Sequence, residues 1–456
     1  MLTDKLIQKY NVPVPRYTSY PPANHFNEDF TTENYLEAVK ESNQANPEHI
    51  SFYIHIPFCK HLCHYCGCNS FPLMKPEVVN RYIKALFKEI EMIKPLLNPS
   101  RKIAQIHYGG GSPTILPVQT LKEINDYLLD GFETIEKPEI AIECHPGYLD
   151  EPYWRELTEA HFNRFSIGVQ DFNEQVLKTA NRRPSLMPIE EVIPILREKQ
   201  ARINMDFIYG LPHQTVESFN ATIEKAIKLQ PDRLVTFSYA HVPWVSKRQV
   251  ILEKAGLPDD NLKKEIFEQA SLLLKQAGYQ TIGLDHFVKE EDELYQALHA
   301  KQLHRNFQGY CTRRTTGQVY AFGVTGIGQL NSAYTQNNKD IEIYMSQIEK
   351  GELPIARGYK LSKEQQITRS VIETLMCNYA INWNELSNRL GYSKEEITSA
   401  IRYKEEELKE FEKDGLITLD ENNIEMTKEG KLFVRNVAVS FDPLMVNTTK
   451  QFSKPV

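Results

Sequence analysis

Six times between residues 51 and 239, a short run rich in β-branched and aromatic residues gives way to a longer stretch. The runs are SFYIHI (51–56), IAQIHY (103–108), EIAIEC (139–144), RFSIGV (164–169), INMDFIYG (203–210) and RLVTFSY (233–239). Between them come amphipathic segments such as PEVVNRYIKALFKEIEMIK and TVESFNATIEKAIKLQ, with apolar residues at three- and four-residue steps. Strands joined through helices run parallel, because each crossover returns the chain to the same end of the sheet. The six units predict an α/β fold, either an open doubly wound sheet or a partial (β/α)6 TIM-like barrel, short of the eight units of a full barrel. In a barrel the C-terminal strand ends share one face, and active sites are built there. The polar residues fall at those ends. A cysteine loop follows the first run, GGGSPT the second, Glu143 ends the third, Gln170 and Asp171 follow the fourth, Asp206 lies in the fifth, and Tyr239 and His241 close the sixth.

The cysteine loop, FCKHLCHYCGCN, carries four of the chain's seven cysteines: Cys59, Cys63, Cys66 and Cys68. An odd total with four clustered argues for metal or cluster chemistry rather than a disulfide frame. Three thiolates at Cys59, Cys63 and Cys66 suit a [4Fe–4S] cube with one open iron, and Tyr65 beside the third can shield it. Two other readings stand at this point. Cys68 could complete a closed four-thiolate cluster, or all four could hold a structural zinc. The single residue between Cys66 and Cys68 is tighter than the two to four usual in zinc pairs.

Net charge is -7 with mixed signs, which is not the footprint of a nucleic-acid binder. No run of 18 or more apolar residues is present, and MLTDKLIQKYNVPV lacks the features of a secretory signal, so the expected compartment is the cytoplasm. Four segments are expected: an arm (1–50), the barrel core (51–250), a barrel extension with substrate-side loops (251–360) and a mostly helical, winged-helix-like C-terminal domain (361–456). Residues 361–442 hold 11 Lys/Arg against 16 Asp/Glu, a difference of -5 that repels phosphates. The stretch LHRNFQGYCTRRTTGQVYAFGVTGIGQ reads as a functional loop.

Cys59-x3-Cys63-x2-Cys66, with an aromatic before the last cysteine, resembles the signature of radical S-adenosylmethionine enzymes, and GGGSPT resembles their glycine motif. More narrowly, YIHIPFCKHLCHYCGCN is similar to the oxygen-independent coproporphyrinogen III oxidase (dehydrogenase) family. PRYTSYP, GVQDFN, IYGLP, YAH, GLDHF, LHRNFQGY and QFSK follow in the same order, so the resemblance spans essentially the whole chain. It implies a [4Fe–4S] cluster held by Cys59, Cys63 and Cys66, with S-adenosylmethionine on the open iron and two molecules of it in the site. It implies contacts to that cofactor from Tyr53, Tyr65, Gly110, Gly111, Ser112, Glu143, Gln170, Arg182, Asp206, Ala240 and Ile327. Cys68 is then not a ligand but acts in substrate positioning or hydrogen transfer. The implied reaction turns two propionates of coproporphyrinogen III into vinyl groups in heme biosynthesis, fed by a flavodoxin- or ferredoxin-like low-potential donor, in a monomer without nucleic-acid or membrane partners. The runner-up within the superfamily is a heme chaperone without this activity. Another class is a non-catalytic iron–sulfur or zinc protein.

Several other residues have plainer explanations. Cys144 and His145 read as packing plus a hydrogen bond, and Cys311 and Cys377 as free buried thiols. His241, His286 and His304 suit either a substrate carboxylate or a structural hydrogen bond. Arg16, Arg305, Arg313 and Arg314 are the candidates for gripping propionates, because a guanidinium holds a carboxylate by two parallel bonds.

Overall fold

The computed structural model describes residues 4–446 together with 448 and 452, so the QFSK motif lies outside the described residues apart from Phe452. The six runs are six parallel strands: β1 (Ile50–Ile56), β2 (Ile103–Gly110), β3 (Thr134–Cys144), β4 (Arg164–Gln170), β5 (Arg202–Tyr209) and β6 (Arg233–Ser238). They lie side by side in chain order, as consecutive βα units must. The sheet then extends at both edges through β7 (Gln280–Ile282), β8 (His286–Val288), β9 (Gln318–Phe322), β10 (Ile327–Gln329), β11 (Ala333–Asn337) and β12 (Ile355–Lys360). The full order is β12-β11-β10-β9-β1-β2-β3-β4-β5-β6-β8-β7. The two ends do not pair, so the barrel is partial.

Alternation assigns the two faces of each strand. Phe52, Ile54 and Ile56 of β1, Ile106 and Tyr108 of β2, and Ile203, Met205 and Phe207 of β5 point outward into one core. Helices cover them. The helix Pro76–Ile93 starts with proline at its first turn, where the missing N–H costs nothing, and buries Tyr82, Leu86 and Ile90. The same face buries Glu89. Its carboxylate accepts from Gly323 N–H (2.7 Å), Asn337 Nδ2 (2.6 Å) and the Tyr344 hydroxyl (2.6 Å), and burial pushes it up to about 7.

β9 corrects the reading of its segment as loop. QVYAF is buried at every residue and pairs parallel with β1, a seventh parallel strand that no preceding crossover helix announced. The C-terminal region also departs from expectation in detail. SKEEITSAIRYKEEELKEFEKDG divides into two helices, Lys394–Ala400 and Glu405–Lys413. Its hairpin gains a third strand, Ala380–Asn382, from the turn after the helix Lys363–Asn378. The arm is not free-standing. Tyr10, Tyr17 and Tyr20 pack into the C-terminal core, and the Tyr17 hydroxyl donates to Asp442 (2.7 Å).

Candidate active site

The loop after β1 is closed by a short parallel pair, Phe58–Cys59 with Phe71–Pro72. Phe71 N–H donates to Pro57 O and Leu73 N–H to Cys59 O. It is docked on the end of β2 by Gly111 N–H to Ile56 O (2.8 Å) and Ser112 N–H to Phe58 O (2.9 Å). The glycines of GGGSPT therefore have a structural role beside the cofactor contact that the resemblance implies. A Cβ at Gly110 would meet the His55 ring at 2.6 Å, and one at Gly111 would meet the Pro57 carbonyl carbon at 2.7 Å. The glycines let the cysteine loop close against the sheet.

The loop gathers its thiols at the mouth. Burial, then the neighbouring Cys66 and Cys63 thiols, push Cys59 up to about 12. Cys63 is buried and accepts from Arg182 Nη1 at 3.8 Å, while Arg182 Nη2 donates to Gly168 O. A hydrogen bond from Cys68 brings Cys66 down to about 6, and the Cys68 backbone N–H also points at the Cys66 sulfur (3.4 Å). Among the described residues, no three His, Cys, Asp or Glu side chains gather closely enough to hold a single metal ion. A cube makes a different demand, one thiolate at each of three corners, and it relieves the mutual crowding of the thiols by supplying positive charge. Two atoms at this mouth fit a further ligand: Tyr65 Oη and Gln170 Oε1 are buried without a hydrogen-bond partner.

Below the loop, the strands' inward faces are polar. Tyr53 stacks on His107 (6.0 Å between centroids), and its hydroxyl lies 3.1 Å from His55 Nδ1. Glu143 meets His107 Nε2 at a long 3.3 Å and remains 45% exposed to the mouth, so its carboxylate has capacity left for a ligand. Asp206 accepts from Ser166 Oγ (2.7 Å), and burial pushes it up to about 6. Gln170 adopts a left-handed backbone (φ 71). Ala240 is held by its carbonyl. Gln249 Nε2 donates to Ala240 O (3.2 Å) and Tyr65 O (3.3 Å), tying the loop after β6 to the cysteine loop. Ile327 opens β10 opposite Gln336 of β11 and packs near Phe26, Phe307 and Tyr334.

Sequence reasoning missed His107, Gln249 and His55. His107 was findable as the inward residue two before Gly109. Gln249 carried no signal, because only the folded loop brings it to Tyr65. The arginine candidates divide. Arg314 donates to Glu136 O and Lys137 O and pairs with Glu293, and Arg313 lines a cavity away from the thiols. Both lie toward the N-terminal ends of the strands, away from the cysteine loop. Arg305 and Arg16 instead bear on Asp285, beside the end of β6. His304 lines the same cavity as Arg313, His286 is bonded to Asp285 (2.6 Å), and His241 to the Tyr239 hydroxyl (3.0 Å). Cys144 and His145 form local bonds, to Ile142 O and from Gly147 N–H.

The model of the Radical SAM superfamily matches residues 53–226, and that of the HemN C-terminal domain matches residues 361–433. The oxygen-independent coproporphyrinogen III oxidase of Helicobacter pylori is 39% identical over 98% of this chain and 97% of its own. The chain belongs to the oxygen-independent coproporphyrinogen III oxidase family. A second member of that family, from Escherichia coli, is 37% identical over 99% of this chain and 98% of its own. The solved structure of coproporphyrinogen III oxidase (HemN) from Escherichia coli, described as a radical SAM enzyme, matches with a TM-score of 0.87 at 34% identity, covering 98% of this chain and 99% of that one. Members of the oxidase family thus match over the arm and the C-terminal domain as well as the barrel.

Proposed function

We propose that this protein is an oxygen-independent coproporphyrinogen III oxidase. It converts two propionates of coproporphyrinogen III to vinyl groups, giving protoporphyrinogen IX. The observation that carries the reading is three thiols, Cys59, Cys63 and Cys66, brought to the C-terminal mouth of a polar-lined partial barrel in a chain similar to these oxidases from end to end. When bound there, the cluster and S-adenosylmethionine supply the electron and the carbon radical that remove a hydrogen from the propionate β-carbon.

The chain's own residues hold, orient and exclude. Cys68 donates to the Cys66 sulfur and so tunes a ligand without being one. Arg182 fixes Cys63 to the end of β4. Glu143, Asp206 and Gln170 present acceptors for the ammonium and ribose hydroxyls of S-adenosylmethionine, and Tyr53 and His107 wall the chamber below. Tyr65, Gly110, Gly111, Ser112, Ala240 and Ile327 complete the cofactor contacts, with Ile327 contributing an apolar surface. The substrate side is the rim beside β6. Phe237 (42% exposed), Trp244 (78%) and Val245 (70%) offer an apolar face to a macrocycle, with Arg16, Arg305 and His286 at hand for carboxylates. Exposed Lys60 and Arg183 stand over the Tyr148 ring beside the cysteine loop, a basic edge for an acidic low-potential electron donor. The protein acts as a monomer in the cytoplasm.

The test is an anaerobic assay with reconstituted protein, coproporphyrinogen III, S-adenosylmethionine and a low-potential reductant. Release of methionine together with protoporphyrin fluorescence after oxidation is the expected result, lost in Cys59→Ala. Methionine release without protoporphyrin would move the substrate elsewhere. Neither signal, from protein with its full iron complement, would sink the enzyme reading.

A further inference from the structure

A cavity of about 450 Å³ lies between the barrel and the C-terminal domain, at the opposite end of the strands from the cysteine loop. Gln44–Pro47 lead into β1 and Gly317 leads into β9, and both line it, so it opens at the N-terminal strand ends. β9 alone, five residues long, separates it from the mouth by roughly 15 Å at about 3.3 Å per residue. Its volume is in the range of small-molecule sites.

Three guanidiniums come to this cavity from three separate elements. Arg369 projects from the helix Lys363–Asn378, Arg389 from the last turn of Trp383–Leu390, and Arg313 from the turn before β9. Among the described residues, Glu373 is the one carboxylate lining it. Two arginines are partly engaged within the protein. Arg369, 8% exposed, donates to Leu330 O (3.1 Å) and Asn331 O (2.7 Å), and Arg389 donates to Thr374 Oγ1 (2.8 Å). Arg313 is the exception: its Nε is buried and has no hydrogen-bond partner. Two further buried atoms lining the cavity share that state, Thr316 Oγ1, on a residue 5% exposed, and Gln329 Oε1.

Both facts point outward from the protein. Three guanidiniums and Lys363, against Glu373 on the wall and Glu385 close by, leave an excess of positive charge that low-dielectric surroundings penalise unless an anion answers it. A buried donor with no partner costs about 1–3 kcal/mol, so the three orphaned atoms also call for something to bond. Gln329 Oε1 can only accept, which requires a hydroxyl or N–H on the occupant. The His304 imidazole, on the same wall, is held down to about 3 by burial and by the three guanidiniums, so it adds no charge and can bond as a neutral ring.

We infer that this cavity binds a small hydroxylated polyanion, a hydroxy-polycarboxylate of the size of citrate, gripped by Arg313, Arg369 and Arg389. The occupant bridges the barrel floor and two helices of the C-terminal domain. Its binding therefore stabilises the docking of that domain on the barrel, by mass action on the folded state. The site is independent of the redox chemistry, since no strand end that carries a thiol reaches it.

The test uses the reconstituted full-length protein with saturating S-adenosylmethionine, so that the mouth is occupied. Citrate is titrated by isothermal calorimetry and by thermal unfolding, with sodium chloride at matched ionic strength as control. The expected result is saturable binding and a rise in unfolding midpoint that chloride does not reproduce. Arg313→Gln, in a circular-dichroism-verified fold, weakens binding at least tenfold, and Arg183→Gln, on the far rim, does not. Equal citrate affinity in Arg313→Gln would overturn the assignment. So would absence of saturable binding by citrate in the unsubstituted protein. Inorganic phosphate is the second probe. Phosphate binding lost in Arg313→Gln, with citrate silent, keeps the anion site and overturns the polycarboxylate class.

Discussion

The floor and the mouth of this barrel are both polar, yet they are built on opposite terms. On the floor the charges that face into the barrel between the strands are answered. Glu139 accepts from Arg164 Nε (2.6 Å) and Gln105 Nε2 (2.7 Å), Arg164 reaches Asn204 (3.1 Å), and Arg233 pairs with Asp292 (2.8 Å) with both side chains at most 5% exposed. Burial opposes the Glu139 charge, but Arg164 and Arg233 hold the carboxyl down to about 2. The hairpin Leu303–Asn306 and Gly309–Thr312 plugs this end, with Asn306 Nδ2 on Gln105 (3.3 Å). At the mouth the accounts stay open: Tyr65 Oη and Gln170 Oε1 are orphaned, Asp206 is pushed up to about 6, and Glu143 is half exposed. A satisfied polar network is a stopper, and an unsatisfied one is a receptacle.

The difference can be broken most severely at the mouth. Cys66→Ala is expected to bring turnover to background while the unfolding midpoint in the unreconstituted protein moves little. Iron content, anaerobic turnover and urea denaturation together read this out, and a collapse of the fold would show that the loop is structural. Next comes the floor. Arg233→Ala strands the buried Asp292 carboxylate, and breaking one partner of such a pair costs about 3–5 kcal/mol. A loss below about 1 kcal/mol in urea titration would contradict the account of the floor as a satisfied ion-pair network.

Asp206→Asn tests the opposite sign. Burial raises the Asp206 carboxyl from 3.8 to about 6, so the protonated form favours the fold. That stability is complete below the unfolded value and lost as pH rises through about 6. The asparagine variant keeps an acceptor for Ser166 and escapes the loss. It should be more stable than the parent at pH 8, by on the order of 1 kcal/mol, and no more stable at pH 4. Its turnover should still fall, because the cofactor loses an acceptor. Equal stability of the two proteins at pH 8 would remove the claimed cost. The smallest effect belongs to neither end. Arg155→Ala, in an exposed pair with Glu151 (2.8 Å) outside the barrel, should change stability by less than about 0.5 kcal/mol and give the baseline for the other three.

Much of the site was legible because its parts are local. The cysteine spacing lies within ten residues, and each strand run announces its own end. The end of each strand run is legible in the sequence, so Glu143 and Asp206 could be placed near the mouth before any coordinates, whereas Tyr53 followed from the family resemblance. β9 escaped because its parallel partner β1 lies more than 260 residues earlier in the chain and no adjacent helix marks it as a crossover strand.

The amino-acid sequence alone determined six parallel strand–helix units and the strand ends that gather the polar residues, since these follow from local periodicity; the choice of three cluster thiols among four cysteines followed from the family resemblance. Tertiary structure decided which arginines face the mouth, what the glycines are for, and which polar groups are left without partners. Arg305 and Arg313 lie eight residues apart in one polar, glycine-flanked stretch, and nothing in their neighbours separates them. The hairpin turn sends one toward Tyr310 and the buried Asp285 and the other into the cavity beneath the C-terminal domain. Orientation of that kind is set by contacts between segments far apart in the chain, and no local pattern encodes it.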